Sequence, residues 1–291
     1  MRLSTTPSLS VVIPCHNNAR NLDWILEALT PQLHHRDEVI VVDDHSDSEV
    51  PAPRRAGCAR LRLVRRDGGS PNRAAARNEG WRAGDAEVVV FLDGDMVPSP
   101  EFVGALRRLH LEHRDVAIKS PRMALTQTEQ ARGKRSCLRD VATPTRWIDG
   151  PRSARRPRCA RTSDWYLAAS NALSVERRFV ERIGGWDEEY QGWGEEDMDF
   201  AYRLYLAGLS FVFPEPRWLY AVHLNHAPAD GWAKSLDRNA RRFVRKFPEV
   251  YEVRLPAYEQ CGIAIARGSA KPSMRVRPSP ALAYYRPGTR R

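Results

Sequence analysis

Short apolar runs alternate with amphipathic stretches through the first 113 residues of the chain. Residues 9–13 form an apolar run of strand length. The next stretch places Leu22, Ile25, Leu26, Leu29 and Leu33 on one helical face, with Asn21 as the expected cap. A second run at 38–42 closes in Asp43-Asp44-His45-Ser46-Asp47, and a third lies at 60–64. The pattern then predicts a helix over 71–81, a strand over 86–92 and an amphipathic helix over 100–113. Strand and helix in alternation predict an α/β fold whose sheet is parallel and whose crossovers are right-handed.

The strand at 86–92 runs directly into Asp93-Gly94-Asp95. Carboxylates at the C-terminal end of a buried strand lie where open α/β sheets bind ligands. Two hard oxygen ligands beside a tight glycine suit Mg²⁺ or Mn²⁺, ions that keep positions open for phosphate oxygens. An Asp-Gly turn that merely ends a strand is the competing reading. The turn after the first strand, Pro14-Cys15-His16-Asn17-Asn18, has none of the glycine pattern of a dinucleotide-binding loop.

In the second half, Glu195-Glu196-Asp197-Met198-Asp199 opens a helix whose apolar face carries Phe200 and Leu204. Acidic residues there complement the positive helix end, which accounts for Glu195, and Asp199 stands at i, i+4 spacing to Arg203. His223 and His226 follow a predicted strand over 218–222.

A chain of 291 residues has room for one large α/β domain with an appendage. The five cysteines are widely spaced without a C-x-x-C pair, so free thiols are expected. No run approaches the roughly 18 apolar residues of a membrane span. The N-terminus lacks a signal-like apolar core, and the expected location is the cytoplasm. The net charge of +10 asks for an anionic partner or for solvated basic segments that account for it. Part of the excess sits in residues 122–161, with eleven basic residues against three acidic ones, and part in the Arg/Pro-rich tail. Segments of that composition cannot build a core of their own.

Val11-Val12-Ile13-Pro14, Val41-Val42-Asp43-Asp44-His45-Ser46, Ala74-Ala75-Ala76-Arg77-Asn78-Glu79-Gly80 and Phe91-Leu92-Asp93-Gly94-Asp95 stand in the order and spacing of the family 2 inverting glycosyltransferases, which the chain resembles. Gly184-Gly185-Trp186-Asp187 and Gly192-Trp193-Gly194-Glu195-Glu196-Asp197-Met198-Asp199 resemble the acceptor region of β-1,4-galactosyltransferases and polypeptide N-acetylgalactosaminyltransferases. The resemblance implies a GT-A type α/β fold, a Rossmann-like mostly parallel sheet flanked by helices. It also implies transfer of a sugar from a nucleotide-sugar donor, a UDP-sugar, to a small-molecule or glycan acceptor.

By the same resemblance Pro14 and Asp44 belong to the donor site, with Asp44 on the uracil ring. Arg77 meets uracil or the diphosphate, Asp93 the ribose, and Trp193 the donor and acceptor sugars. Asp95 and His223 ligate Mn²⁺ (or Mg²⁺), with His226 a weaker candidate. Asp197 is the general base, and Glu196 its neighbour that binds the acceptor or positions the site. The expected layout is a donor-binding half over 1–119, an acceptor-binding half over 166–250 and a tail over 251–291; the segment between, 120–165, has no counterpart in the family and reads from its composition and position as a basic flap or a solvated loop. The Q-x-x-R-W signature of processive synthases is absent. A nucleotidyltransferase would not need the acidic block at 193–199. A nucleic-acid-binding protein would show a recognition module, and none is present.

Overall fold

In the computed structural model, β1 (Leu9–Cys15) lies inside an eight-stranded sheet, paired in parallel with β2 (Glu38–Asp43) and β4 (Val88–Leu92). The structure describes residues 6–51, 59–124, 161–215, 219–224, 226 and 231–265. All residues of β2 and β4 are buried, which is why their sequences read as continuous runs rather than as alternations. Side chains nonetheless sort by parity. Val11 and Ile13 join a core on one face with Leu22, Ile25 and Leu29 of α1 (Ala19–Leu29) and Phe102 and Leu106 of α3 (Phe102–Glu112). Val12 joins the opposite core with Ala74 and Ala76 of α2 (Arg73–Ala83). Helices therefore cover both faces, as a parallel sheet requires. At Gly80 a Cβ would stand 2.2 Å from a Val12 methyl carbon, so α2 packs closely on β1 only because that position lacks a side chain.

Beyond β2 lies β3 (Arg60–Arg65), which forms one edge. On the other side of β4 the order continues β9 (Ala172–Glu176), β6 (Val116–Lys119), β10 (Ser210–Val212) and β8 (Arg161–Thr162). β9 is antiparallel to both its neighbours, so the sheet is mostly rather than wholly parallel. A second sheet has the order β5 (Met96–Pro98), β11 (Ala221–His223), β7 (Arg122–Ala124). Its register sets His223 opposite Met96, the residue after Asp95. The second half contributes the helices α4 (Arg177–Arg182), α5 (Glu196–Leu206), α6 (Trp232–Lys246) and α7 (Tyr251–Gln260).

Three local expectations are corrected. α1 begins at Ala19, not after Asn21, and the side chain of its N-cap residue Asn18 makes no capping bond; it donates instead to Gly94 O at 2.8 Å. α2 begins at Arg73, capped by Asn72, whose Oδ1 accepts from Ala75 N at 3.0 Å. The strand expected over 218–222 is the three-residue β11, ending on His223. Most of the basic segment, 125–160, and the tail from 266 onward lie outside the described residues, and so does the flap expected there.

Candidate functional site

β4 delivers the aspartate pair through a tight turn: Asp93 N donates to Asn171 O at 3.0 Å, and Met96 N donates to Asp93 O at 3.0 Å. Gly94 fits because a Cβ would lie 2.3 Å from Asn18 Nδ2 and 2.7 Å from Pro14 O. That close approach brings the first-strand turn, Pro14 included, against the Asp93-Gly94-Asp95 turn. On the other side Leu224 N donates to Asp95 O at 2.8 Å, which anchors β11.

Asp95 Oδ2 then lies 3.4 Å from His223 Nε2 and 3.0 Å from His226 Nε2. One ligand atom from each of the three residues falls within 4.8 Å of the others. Burial would raise the Asp95 pKa, but the two imidazoles outweigh it and hold the carboxyl well below the usual range. Asp95 Oδ1 is buried with no hydrogen-bond partner among the described residues. A spare buried carboxylate oxygen beside two imidazoles is a donor set that fits a divalent cation, and mixed nitrogen and oxygen ligands favour Mn²⁺ over Mg²⁺. Sequence reasoning ranked His226 below His223; the structure places it at least as close.

Arg77 is the hub between the two halves of the chain. Only 2% exposed, it reaches Asp93 Oδ1 with Nη2 at 2.8 Å and Glu196 Oε1 with Nη1 at 3.4 Å. Its guanidinium carbon sits 4.6 Å from the ring centre of Trp186, which stacks on Phe200 at 3.9 Å with an interplanar angle of 1°. Burial alone would lower the Arg77 pKa; Asp93 and Glu196 more than offset it and keep the group cationic. Both carboxylates are thereby held in place, each by one terminal nitrogen of the guanidinium. Arg73 is the exposed first residue of α2.

Asn78, one position on, locks the facing loop: its Nδ2 donates to Trp186 O at 3.0 Å and to Glu188 Oε1 at 2.6 Å, and its Oδ1 accepts from Trp186 N at 2.8 Å. The sequence motifs contain Asn78 and Trp186 but assign a role to neither. Their shared signal was the recurrence of an A-R-N block and a G-G-W-D block in one chain.

α5 presents the acidic block. Glu196 is buried, with Oε2 unpartnered among the described residues. Asp197 is partly accessible, and its Oδ1 accepts from Met198 N at 3.0 Å. Burial, then Glu196 and Glu195, push the Asp197 carboxyl up to about 7, against the opposing pull of Arg77 and Arg254. A carboxyl poised near neutrality is suited to accept a proton. Asp199 is paired as the spacing predicted, with Arg203 Nε at 2.5 Å, and also with Lys246 Nζ at 2.6 Å.

Glu195 corrects the helix-dipole expectation. It is the N-cap residue in left-handed conformation (φ 68°), and its buried carboxylate accepts from Arg254 at 2.5 Å and Tyr258 Oη at 3.2 Å. Trp193 is half-buried, its ring edge-on to that of Trp232 at 5.6 Å, and its backbone N–H donates to Ser235 Oγ at 3.0 Å.

Asp44 is buried. Its Oδ2 accepts from Asn72 N at 2.8 Å, while Oδ1 pairs with Arg66 and lies 3.2 Å from His45 Nδ1. Asp43 closes its own turn, with Oδ1 accepting from Ser46 N at 3.1 Å.

The sheet order, the small second sheet and the Asp-His-His cluster at the strand ends define a GT-A type α/β fold. Its likeness to solved structures bears this out: S. aureus TarS aligns at a TM-score of 0.58 with 15% identity, covering 88% of this chain and 77% of that one. GalNAc-T7 with UDP, GalNAc and Mn²⁺ aligns at 0.58 with 15% identity, covering 91% and 53%. The model of glycosyl transferase family 2 matches residues 10–172, and the chain belongs to that family. A second model, described as the N-terminal domain of galactosyltransferase, matches residues 155–227. The validoxylamine A glucosyltransferase of Streptomyces hygroscopicus subsp. jinggangensis (strain 5008) is 28% identical over 270 residues, 85% of this chain and 63% of that protein. The chain thus spans less than two thirds of that relative. Among the described residues no helix is long and apolar enough to cross a membrane.

Proposed function

We propose that the chain transfers a sugar, with inversion, from a UDP-sugar to an acceptor hydroxyl, using Mn²⁺ or Mg²⁺ held by Asp95, His223 and His226. The observation that carries this reading is the continuity of the site: Asp95 converges with two imidazoles, and two residues away Asp93 is joined through Arg77 to Glu196, the neighbour of Asp197. The metal-ligand turn and the candidate base are therefore one connected unit. Support also comes from GalNAc-T7, whose structure holds UDP and Mn²⁺ in a similar fold.

In this reading the bound cation supplies Lewis-acid charge to the donor diphosphate. Asp197 takes the proton of the acceptor hydroxyl as its oxygen bonds to the anomeric carbon. The bond from that carbon to the β-phosphate oxygen breaks, and UDP leaves with the electron pair. Arg77 holds Asp93 and Glu196 at fixed spacing, Asp93 toward the ribose and Glu196 toward the acceptor. Trp193 offers a ring against which an apolar sugar face packs. Asp44 accepts from the imide N–H of uracil, with Pro14 on the same donor side, and Arg66 shares its carboxylate. Residues 1–119 supply Pro14, Asp44, Asp93 and Asp95 to the donor, and 166–250 supply the acceptor-side groups together with the two histidines of the metal cluster, the two halves meeting at Arg77.

A screen of nucleotide sugars for release of the nucleotide, with Mn²⁺ and with excess chelator, tests the reading. Metal-dependent release from one or more UDP-sugars is the expected result. Release undiminished by chelator would refute the metal assignment, and release from no nucleotide sugar would refute the activity.

A further inference from the structure

α7 lies beyond both family matches, which end at residues 172 and 227, yet two of its side chains reach the N-cap residue of the acidic helix. Arg254 Nη2 donates to Glu195 Oε1 at 2.5 Å and Tyr258 Oη donates to Glu195 Oε2 at 3.2 Å. All three residues are buried. Glu195 holds a left-handed backbone at φ 68°, directly after Gly194 at φ 98°. A left-handed conformation is unfavourable for a residue with a Cβ and persists only where its surroundings impose it. Its carboxylate is the obvious means: an N-cap glutamate could fold back on its own helix, and here it is drawn away to α7 instead. The chain must therefore reverse at 194–195, so that Glu195 projects toward α7 while Glu196 reaches Arg77.

We infer that Arg254 and Tyr258 are positioning residues for Asp197: by anchoring Glu195 they fix the reversed turn from which Glu196 and Asp197 enter the site. The inference rests on the reading of Asp197 as the base. α7 is itself held by a small core in which Tyr258 and Ile263 pack with Leu236, Ala240 and Val244 of α6, against Trp193 and Trp232. The lock thus couples the C-terminal helix to the turn that carries both Trp193 and Asp197. The charged groups facing Asp197 are Glu196 and Glu195 from its own turn, Arg77 from α2 and Arg254 from α7. Loss of the Arg254 charge should therefore favour the protonated Asp197, and loss of the Glu195 charge the ionised form.

The test uses the full chain with Tyr258→Phe, Arg254→Lys, Arg254→Gln and Glu195→Gln. The readouts are thermal unfolding, Mn²⁺-dependent UDP binding, kcat and KM with the donor found by the screen, and the carboxyl ¹³C titration of Asp197 assigned through Asp197→Asn. Tyr258→Phe keeps the packing, so it should fold, bind UDP as the wild type does and lose kcat on the order of tenfold to a hundredfold, as misplaced catalytic groups do. Arg254→Lys should lose kcat while the Asp197 titration stays near the wild-type position. Arg254→Gln should move that titration to higher pH and Glu195→Gln to lower pH. Folded variants with wild-type kcat and an unmoved titration would overturn the inference, as would equal losses of UDP binding and kcat. If the wild type turns over no nucleotide sugar, the reading of Asp197 as the base falls; if the wild type is active and a folded Tyr258→Phe keeps its kcat, the positioning role alone falls.

Discussion

Asp197 illustrates how one side chain ties stability to chemistry. Its folded pKa of about 7 lies above the ordinary carboxyl value of 3.8, so the fold favours the protonated form. No stability is lost below pH 3.8; the loss accumulates as pH rises from there to about 7 and is complete above it. Asp197→Asn removes the charge that the fold disfavours. It should melt a few degrees higher than the wild type at pH 8, a difference that closes as pH falls toward 4, by calorimetry. The same variant should lose about 10² to 10⁴ in turnover, because the proton acceptor is gone. In the wild type, kcat/KM should fall as pH drops through about 7, the acid limb of a base that must be ionised. At this scale the sequence singles out residues whose side chains are ligand or proton-transfer groups wherever they stand, Asp95, His223 and Asp197, and the structure brings the first two together. It did not disclose Asn78, Trp186 or Arg254, because an amide, an indole or a guanidinium takes its role only from the partner the fold brings to it. Glu195 was misread for the same reason, its partner lying 59 positions away.

The turn before α5 depends on α6 as well as on α7. Asn239 Nδ2 donates to the carbonyls of Gln191, Trp193 and Gly194 at 3.1, 3.2 and 2.9 Å, and the residue is buried. Asn239→Ala leaves those carbonyls without their shared donor and should cost about 1–3 kcal/mol in urea unfolding. Trp193 is held by the same contacts, so UDP-sugar turnover should fall as well. An unchanged midpoint would show that water replaces the amide without loss. Elements with a long apolar pattern, β1, β2, β4 and α3, were legible because burial on both faces or on one helical face writes itself into the sequence. Helix starts were not: Asn18, Asn21 and Asn72 are chemically alike, and only Asn72 caps with its side chain, because Asn18 is drawn to Gly94. The second sheet was hidden for a different reason. Strands of three residues have no period to read, yet the pairing of β11 with β5 is what brings His223 to Asp95.

Across the molecule, the halves on either side of the basic segment are joined at the site by Arg77, pinned between Asp93 and Glu196. Arg77→Ala would leave two facing carboxylates without their cation and should destabilise the fold by about 3–5 kcal/mol, read in urea unfolding. An effect under 1 kcal/mol would mean that the carboxylates relax into solvent and the halves are held elsewhere. The order of the family's blocks was legible from end to end, but their meeting point was not, since 119 positions separate Arg77 from Glu196. The most direct measurement is thermal stabilisation by UDP, with and without Mn²⁺, of the wild type and Asp95→Ala. UDP should raise the melting temperature of the wild type strongly only when Mn²⁺ is present, and the Mn²⁺-dependent part should vanish in Asp95→Ala. Equal stabilisation by UDP in excess chelator, or full Mn²⁺-dependence retained in Asp95→Ala, would contradict the assignment of Asp95, His223 and His226 as the centre of the donor site.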